Sequence, residues 1–233
     1  MQQVGPVVDP LPSGRAPGRE SLQGTHVCLE PVDVAAHAPS LYRLSHARPE
    51  DAALWTYLPY GPFSDEGTFE RWLAERAASS DPLFFAIVEE QSGQASGMAS
   101  YLNIVPAMGC IEIGHIWFAP PLQRTWAATE AIFLMMRHVF DDLGYRRLEW
   151  KCNALNEASM RAARRFGFTY EGTFRQHMVV KGRNRDTAWF ALLDREWPAV
   201  RAAFERWLDP ANFDPAGRQR TSLGTLMPAR PSP

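Results

Sequence analysis

Cysteine is scarce in this chain, with three in 233 residues at Cys28, Cys110 and Cys152. An odd count without a CxxC pair argues against a disulfide framework or a zinc knuckle and fits a reducing compartment. Charge of one sign is also lacking: 24 Lys and Arg stand against 26 Asp and Glu, a formal net charge of −2. Nothing therefore marks a general nucleic-acid binder. No stretch reaches the ~18 unbroken apolar residues of a membrane helix. The N-terminus has no charged region followed by an apolar run, so no secretory signal is expected. These absences lead us to expect a cytoplasmic protein with neither nucleic acid nor membrane as partner. A GxGxxG or Walker phosphate fingerprint is missing too, which excludes the common nucleotide-binding loops. Without HExxH or paired His ligands, no metal is required.

What is present suffices for one core. Hydrophobic residues make up 45% of the chain and aromatics 12%, with 8 Trp. Aromatics build both cores and pockets, so this content is compatible with a binding site. Residues 1–24 are rich in Pro, Gly and Gln, and residues 209–233 carry Asp209-Pro210, Asp214-Pro215-Ala216-Gly217 and a terminal Pro-rich run. Both read as flexible tails. The folded domain is expected over 25–208, with no internal linker or repeat.

Within it, Thr25–Pro31 alternates as a strand, and Asp33 can cap a helix to about Ala47 in spite of Pro39. Short helices are expected from Pro49 and after Ser64-Asp65. Leu83–Glu89 and Ala95–Val105 read as a strand pair joined by a Gly-containing turn. A strand over Ile111–Phe118 stops at Ala119-Pro120-Pro121. A helix from about Thr125 to Leu143 then places Ile132, Met135, Met136, Val139 and Phe140 at helical spacing. Arg146–Cys152 is a strand, Asn156 caps a short helix to Phe166, and Phe168–Val180 with Asp186–Leu193 form a late hairpin. Asp194–Leu208 closes the domain. Strands and helices in this order give a mixed α/β (α+β) domain around one sheet.

The stretch from Ile111 to Pro198 carries the functional signal. Its loop, Gln123-Arg124-Thr125-Trp126-Ala127-Ala128, lies where the long helix begins. A helix N-terminus presents free backbone N–H groups and the positive end of a dipole, which suits a phosphate. By itself the loop reads more readily as an ordinary helix cap with a solvated Arg.

Four local motifs, taken in order, resemble the GNAT superfamily of acetyl-CoA-dependent N-acetyltransferases. They are Glu112-Ile113-Gly114-His115-Ile116-Trp117, the loop from Gln123 to Glu130, Asn156-Glu157-Ala158-Ser159, and Phe166-Gly167-Phe168 through Arg175. Lys181-Gly182-Arg183-Asn184-Arg185-Asp186 and Glu196-Trp197-Pro198 look like the branch of ribosomal-protein N-terminal (Rim-type) acetyltransferases. The resemblance covers about 25–200 and implies a mixed central sheet of about seven strands, a splayed central pair and helices on both faces. The chain departs from the family where its loop usually has a first Gly, since Trp126 stands there. A side chain at that position is difficult only if φ is positive.

The resemblance implies acetyl-CoA as co-substrate and a primary amine as acceptor, whether a protein N-terminus, an amino acid or a small amine. Gln123, Arg124, Thr125, Trp126, Ala127, Ala128 and Thr129 would cradle the pyrophosphate. Ile116, Trp117 and Phe118 would offer their backbone to the pantetheine arm. Asn156 would bond that arm and Ser159 would lie near the thioester sulfur. The family's usual Tyr acid falls at Ala163 and is absent, which leaves Ser159 as the replacement. Glu112 is the candidate base, and strict alternation puts it on one face with Gly114 and Ile116, opposite His115. Plain readings stand beside these: Asn156 as a helix cap, Glu112 as a structural carboxylate paired with a nearby Arg, Cys152 as an inert strand thiol. Trp55, Tyr57, Tyr60, Tyr101 and Arg175 are candidates for the acceptor pocket. A homodimer is common among similar proteins. The missing Tyr and altered loop also admit a catalytically silent acetyl-CoA-binding module.

Overall fold

The computed structural model describes residues 2–12 and 14–229. Eight strands form one sheet: β1 (Leu22–Gln23), β2 (Val27–Pro31), β3 (Leu83–Glu89), β4 (Gln94–Val105), β5 (Cys110–Phe118), β6 (Arg147–Asn153), β7 (Thr169–Val180) and β8 (Arg183–Leu193). Their spatial order is β1-β2-β3-β4-β5-β6-β8-β7. All neighbours are antiparallel except β5 and β6, which run parallel. The strand beyond the expected seven is the two-residue β1, in a stretch whose sequence reads as tail.

The long helix read from the sequence is the crossover that a parallel β5/β6 pair requires. It is α3 (Trp126–Arg137), continued by a wider π turn over His138–Asp142. Helices α1 (Val34–Ser45) and α2 (Glu66–Ala78), with a 3₁₀ turn at Pro49–Trp55 between them, cover one face of the sheet. Helices α3, α4 (Glu157–Arg165) and α5 (Trp197–Leu208) cover the other. Polar side chains start these helices as the sequence suggests. Asp33 Oδ1 accepts from Ala36 N–H at 2.8 Å and Asp65 Oδ1 from Thr68 N–H at 2.8 Å. Each such cap is worth about 1 kcal/mol. Pro39 lies inside α1, where it costs one ladder bond.

Two apolar clusters hold the layers. One joins α3 and α5 to the sheet through Ile132, Met135, Met136 and Phe204. The second packs Trp55, Phe69, Phe84 and Trp117 beneath α1 and α2. Each fully buried side chain of this size contributes about 1.5–3 kcal/mol. A buried carboxylate ties β2 to α3: Glu130 accepts from the backbone N–H groups of Thr25, His26 and Val27.

Residues 209–226, which read as a tail, lie against the domain. Phe213 and Leu223 are buried in the first cluster, and a four-residue helix α6 (Leu223–Leu226) packs on α5.

Candidate functional site

The site begins with a broken pairing. β5 and β6 pair at only three positions, Cys110 with Arg147, Ile111 with Leu148 and Glu112 with Glu149. Beyond Glu112 the strands separate, although β6 continues to Asn153 and β5 to Phe118. The cause lies on the other side of β5. Trp117 opposes Met98 and Gly114 opposes Ser100, so β5 spends three steps where β4 spends two. The extra residue sits around His115, whose φ is +53°. Such a bulge bends its strand. The backbone groups of β5 from Ile113 onward therefore face a gap on the β6 side.

The bulge also corrects the alternation expected from sequence. Ile111, Ile113, Ile116 and Phe118 all pack toward α3. His115 packs on Tyr60 and Phe84 toward the opposite helices, and Trp117 joins it there. Ile116 is thus on the face opposite Glu112, and His115 is on Glu112's side. An inserted residue reverses the parity of everything after it.

At the end of β5 the chain turns into α3. Gln123 Nε2 donates to the Phe118 carbonyl at 2.9 Å, so its side chain pins the strand end. The left-handed residue of this loop is Arg124, with φ +64°, and Trp126 is the first helical residue. A side chain at Trp126 therefore meets no backbone strain. Thr125 is the N-cap: its Oγ1 accepts from Ala128 N–H at 3.1 Å and donates to Leu122 O at 2.7 Å. The first N–H groups of a helix have no intrahelical acceptor, and here they border a cavity of about 630 Å³. Ala127 and Ala128 are small and buried, and Thr129 is buried beneath them. Thr129 Oγ1 accepts from Arg165 Nη1 at 3.2 Å. Arg165 lies over the Trp207 ring at 5.2 Å and has no carboxylate partner among the described residues. Burial holds its pKa below the usual arginine value. The donor set of a helix terminus and a half-buried guanidinium, beside an open strand edge, fits a phosphate-bearing thioester.

Asn156 caps α4, accepting from Ser159 N–H at 3.1 Å. The plain reading of Asn156 is therefore correct, and the cap also fixes where Ser159 stands. Ser159 Oγ accepts from Trp150 Nε1 at 2.9 Å. That leaves the hydroxyl to donate, and the Cys152 sulfur lies within its reach. Burial raises the Cys152 thiol pKa, with a hydrogen bond to Ser159 opposing the rise, so this cysteine stays a thiol. Trp150 and Cys152 face α3 and α4, so Ser159 lies on the side of the sheet away from Glu112.

Glu112 is 5% exposed. Its Oε2 accepts from Asn103 Nδ2 at 2.6 Å and Lys151 Nζ at 2.8 Å, while Oε1 faces Gly114. Lys151 continues to Glu149 at 2.7 Å, and Arg147 bridges Glu149 and Glu171. Glu112 is ion-paired, but its cation is Lys151 and not the Arg expected from sequence. Burial nonetheless raises the Glu112 pKa above the usual carboxylate value, against the pull of Lys151. Nearby, Nδ1 of His115 lies 3.2 Å from the Tyr60 hydroxyl. Burial, then the charges of Arg76 and Arg185, lower the His115 pKa to about 4. The imidazole is neutral at pH 7 and shares a hydrogen bond through Nδ1 with Tyr60, whose own pKa burial raises.

The acceptor candidates separate. Tyr57 is half-exposed and its hydroxyl donates to Leu155 O at 3.0 Å, which links the 3₁₀ segment to the β6–α4 loop. Tyr60 stacks on His115. Trp55 and Tyr101 are 0% exposed. Trp55 packs on Trp117 at 5.1 Å, and the Tyr101 hydroxyl donates to Met135 O at 2.8 Å inside the α3 core. Tyr101 thus sits in the layer under α3, on the face away from Glu112, and Trp55 is enclosed in the cluster beneath α1 and α2. Arg175 is exposed on β7.

Sequence reasoning missed Lys151, Arg165 and Arg185. Arg185 is half-buried, held by Thr187 Oγ1 at 3.1 Å, and has no ion pair among the described residues. Nothing in a linear pattern separates such cations from surface ones. Lys181 on the late hairpin donates to Trp55 O at 2.8 Å and Gly61 O at 2.6 Å, closing that side of the site. No metal-holding cluster of His, Cys, Asp and Glu occurs among the described residues, nor any helix long and apolar enough to cross a membrane.

Comparison with known proteins agrees with this geometry. Residues 26–169 match the family model described as an acetyltransferase (GNAT) domain. A GCN5-related N-acetyltransferase from Brucella melitensis has a crystal structure with 46% identity and a TM-score of 0.91, over 94% of this chain and 99% of that one. An acetyltransferase from Chromobacterium violaceum, provisionally placed in the GNAT family, gives 46% identity and a TM-score of 0.78, over 85% and 98%. A Bacillus subtilis protein provisionally named a ribosomal N-acetyltransferase is 30% identical over 105 residues, 45% of this chain and 57% of its own length. The match thus spans somewhat more than half of that relative.

Proposed function

The chain belongs to the GNAT acetyltransferase family, and from that premise we propose that it moves an acetyl group from acetyl-CoA to a primary amine by direct attack in a ternary complex. The observation that carries this reading is the unpaired edge of β5 beyond Glu112, which leads to the cavity at the N-terminus of α3. The backbone groups of Ile116–Phe118 that point away from β4, apart from the Phe118 carbonyl taken by Gln123, suit the amides of a pantetheine arm, as an added strand would. The N–H groups of Trp126 and Ala127, with Arg165, suit its phosphates.

Acetyl-CoA supplies the acetyl group as a thioester. Glu112 stands on one face of the gap and Ser159 on the other, so a thioester lying between the strands has a proton acceptor on one side and a donor on the other. In the reaction the amine nitrogen forms a bond to the acetyl carbon and the carbon–sulfur bond breaks. Glu112 takes the amine proton, and its raised pKa makes it a better acceptor than an exposed carboxylate. The Ser159 hydroxyl, positioned by Trp150, donates toward the departing sulfur. The neutral His115–Tyr60 pair and Arg185 line the acceptor side.

The name of the Bacillus relative and the late motif Lys181–Asp186 favour a protein N-terminus as the acceptor class. The test is to incubate the protein with acetyl-CoA and a panel of N-terminal peptides, amino acids and small amines, following free thiol. Turnover concentrated on peptides is expected. Coenzyme A binding with no turnover across the panel would replace this reading with a silent acetyl-CoA-binding module, which the Ala163 substitution of the usual Tyr favours.

A further inference from the structure

One wall of the α3 cavity is made by a part of the chain outside the matched family region, and it meets the residue that departs from the family's loop. After α5 the backbone folds back through a tightly bonded turn. Asp214 Oδ1 accepts from Ala216 and Arg218 N–H at 2.9 Å each, and Asn212 bonds both the Trp207 carbonyl and Thr221. This turn sets Phe213, 7% exposed, against the ring of Trp126 at 3.9 Å and against Trp207 at 5.2 Å. Gln219 accepts from Trp207 Nε1 at 2.7 Å, and Gly217 lies beside the Trp126 ring. Trp126 is therefore one element of an aromatic wall that 209–221 completes. The same cavity is lined by Thr125, Ala128 and Thr129 at the start of α3 and by Arg165, which has no carboxylate partner among the described residues.

We propose that residues 209–221 together with Trp126 form the nucleotide end of the donor site, where the half-buried Trp126 ring, backed by Phe213, packs against the adenine ring and Arg165 holds a phosphate. This rests on the acetyl-CoA reading above and adds a binding surface that the Trp at the loop's Gly position creates. The cavity pairs an anion-binding side with a flat apolar side at a single-ligand scale, about 630 Å³, within the range of small-molecule sites. A nucleoside phosphate has that pairing of charge and flat ring; the pantetheine arm does not.

The experiment titrates the full chain with coenzyme A and with adenosine 3′,5′-bisphosphate by calorimetry, and follows amide exchange of 209–226. Both ligands are expected to bind the wild type and to slow exchange in that segment. Phe213→Leu keeps apolar volume and removes the ring; it is expected to weaken both ligands about tenfold. The exposed Gln219→Ala provides a second variant that leaves the core intact, with a smaller loss in the same direction. S-acetyl-pantetheine, which lacks the nucleotide, is expected to turn over equally in all three. Unchanged affinity for both ligands in both variants, with no exchange protection, would overturn the proposal while leaving the donor reading standing. A wild type that does not bind coenzyme A would overturn the donor reading itself.

Discussion

His115 offers a prediction that links backbone, site and stability. Its bulge turns the imidazole inward, and burial with the Arg76 and Arg185 charges lowers its pKa from 6.5 to about 4. A base whose folded pKa is depressed leaves the unfolded chain holding more protons between those values. Its contribution is fully present above pH 6.5 and is lost as pH falls toward 4. At pH 5 the unfolded imidazole is almost wholly charged and the native one almost wholly neutral, so folding loses about 2 kcal/mol from this group. In a chain of this size that is a fall of roughly 6 °C in Tm between pH 7 and 5. Thermal melts across that range measure it, with His115→Asn as reference. Asn tolerates the φ of +53° and can accept from Tyr60, but does not titrate. His46 is shifted the same way by burial and is present in both proteins, so it cancels. Parallel Tm curves for wild type and variant, or a His115 midpoint near 6.5 by NMR, would refute the reasoning.

Two predictions concern catalysis. Glu112→Gln is expected to lower kcat/KM about 100-fold and to abolish the limb of the pH profile that rises as Glu112 loses its proton. Lys151→Met removes the ammonium that opposes burial, so the limb should move to higher pH; a limb that stays put in both variants removes Glu112 as base. Ser159→Ala and Asn156→Ala should lower kcat more than they weaken coenzyme A binding, and Asn156→Ala should also cost about 1 kcal/mol of stability through its lost cap. Equal losses in turnover and binding would show that the pair only shapes the pocket.

Much of the fold was legible in the sequence because its signals are local. Apolar spacing marked α3, Asp33, Asp65, Thr125 and Asn156 are short polar caps, and Gly144 and Gly167 stand where helices end. The order of motifs then pointed to the family and to the loop at α3. The hidden parts depend on residues far apart in sequence. The bulge at His115 depends on how β5 registers on β4, so it defeated the alternation argument and moved Ile116 to the other face. Tyr101 carries the composition of a pocket residue, but its strand parity turns it under α3.

By itself the sequence determined the order and approximate bounds of most strands and helices, which loop opens α3, and that no Tyr stands at Ala163. These follow from backbone capping, side-chain period and residue identity, all read within a turn or two of chain. Only the tertiary structure decided what those residues face. It separated β5 from β6, gave Glu112 a lysine from 39 residues away, and placed Glu112 and Ser159 on opposite sides of the gap. It also brought residues 209–221, low in hydrophobic pattern, against Trp126, because one Phe between two Trp rings buries enough apolar surface to hold a segment that composition alone marks as loose.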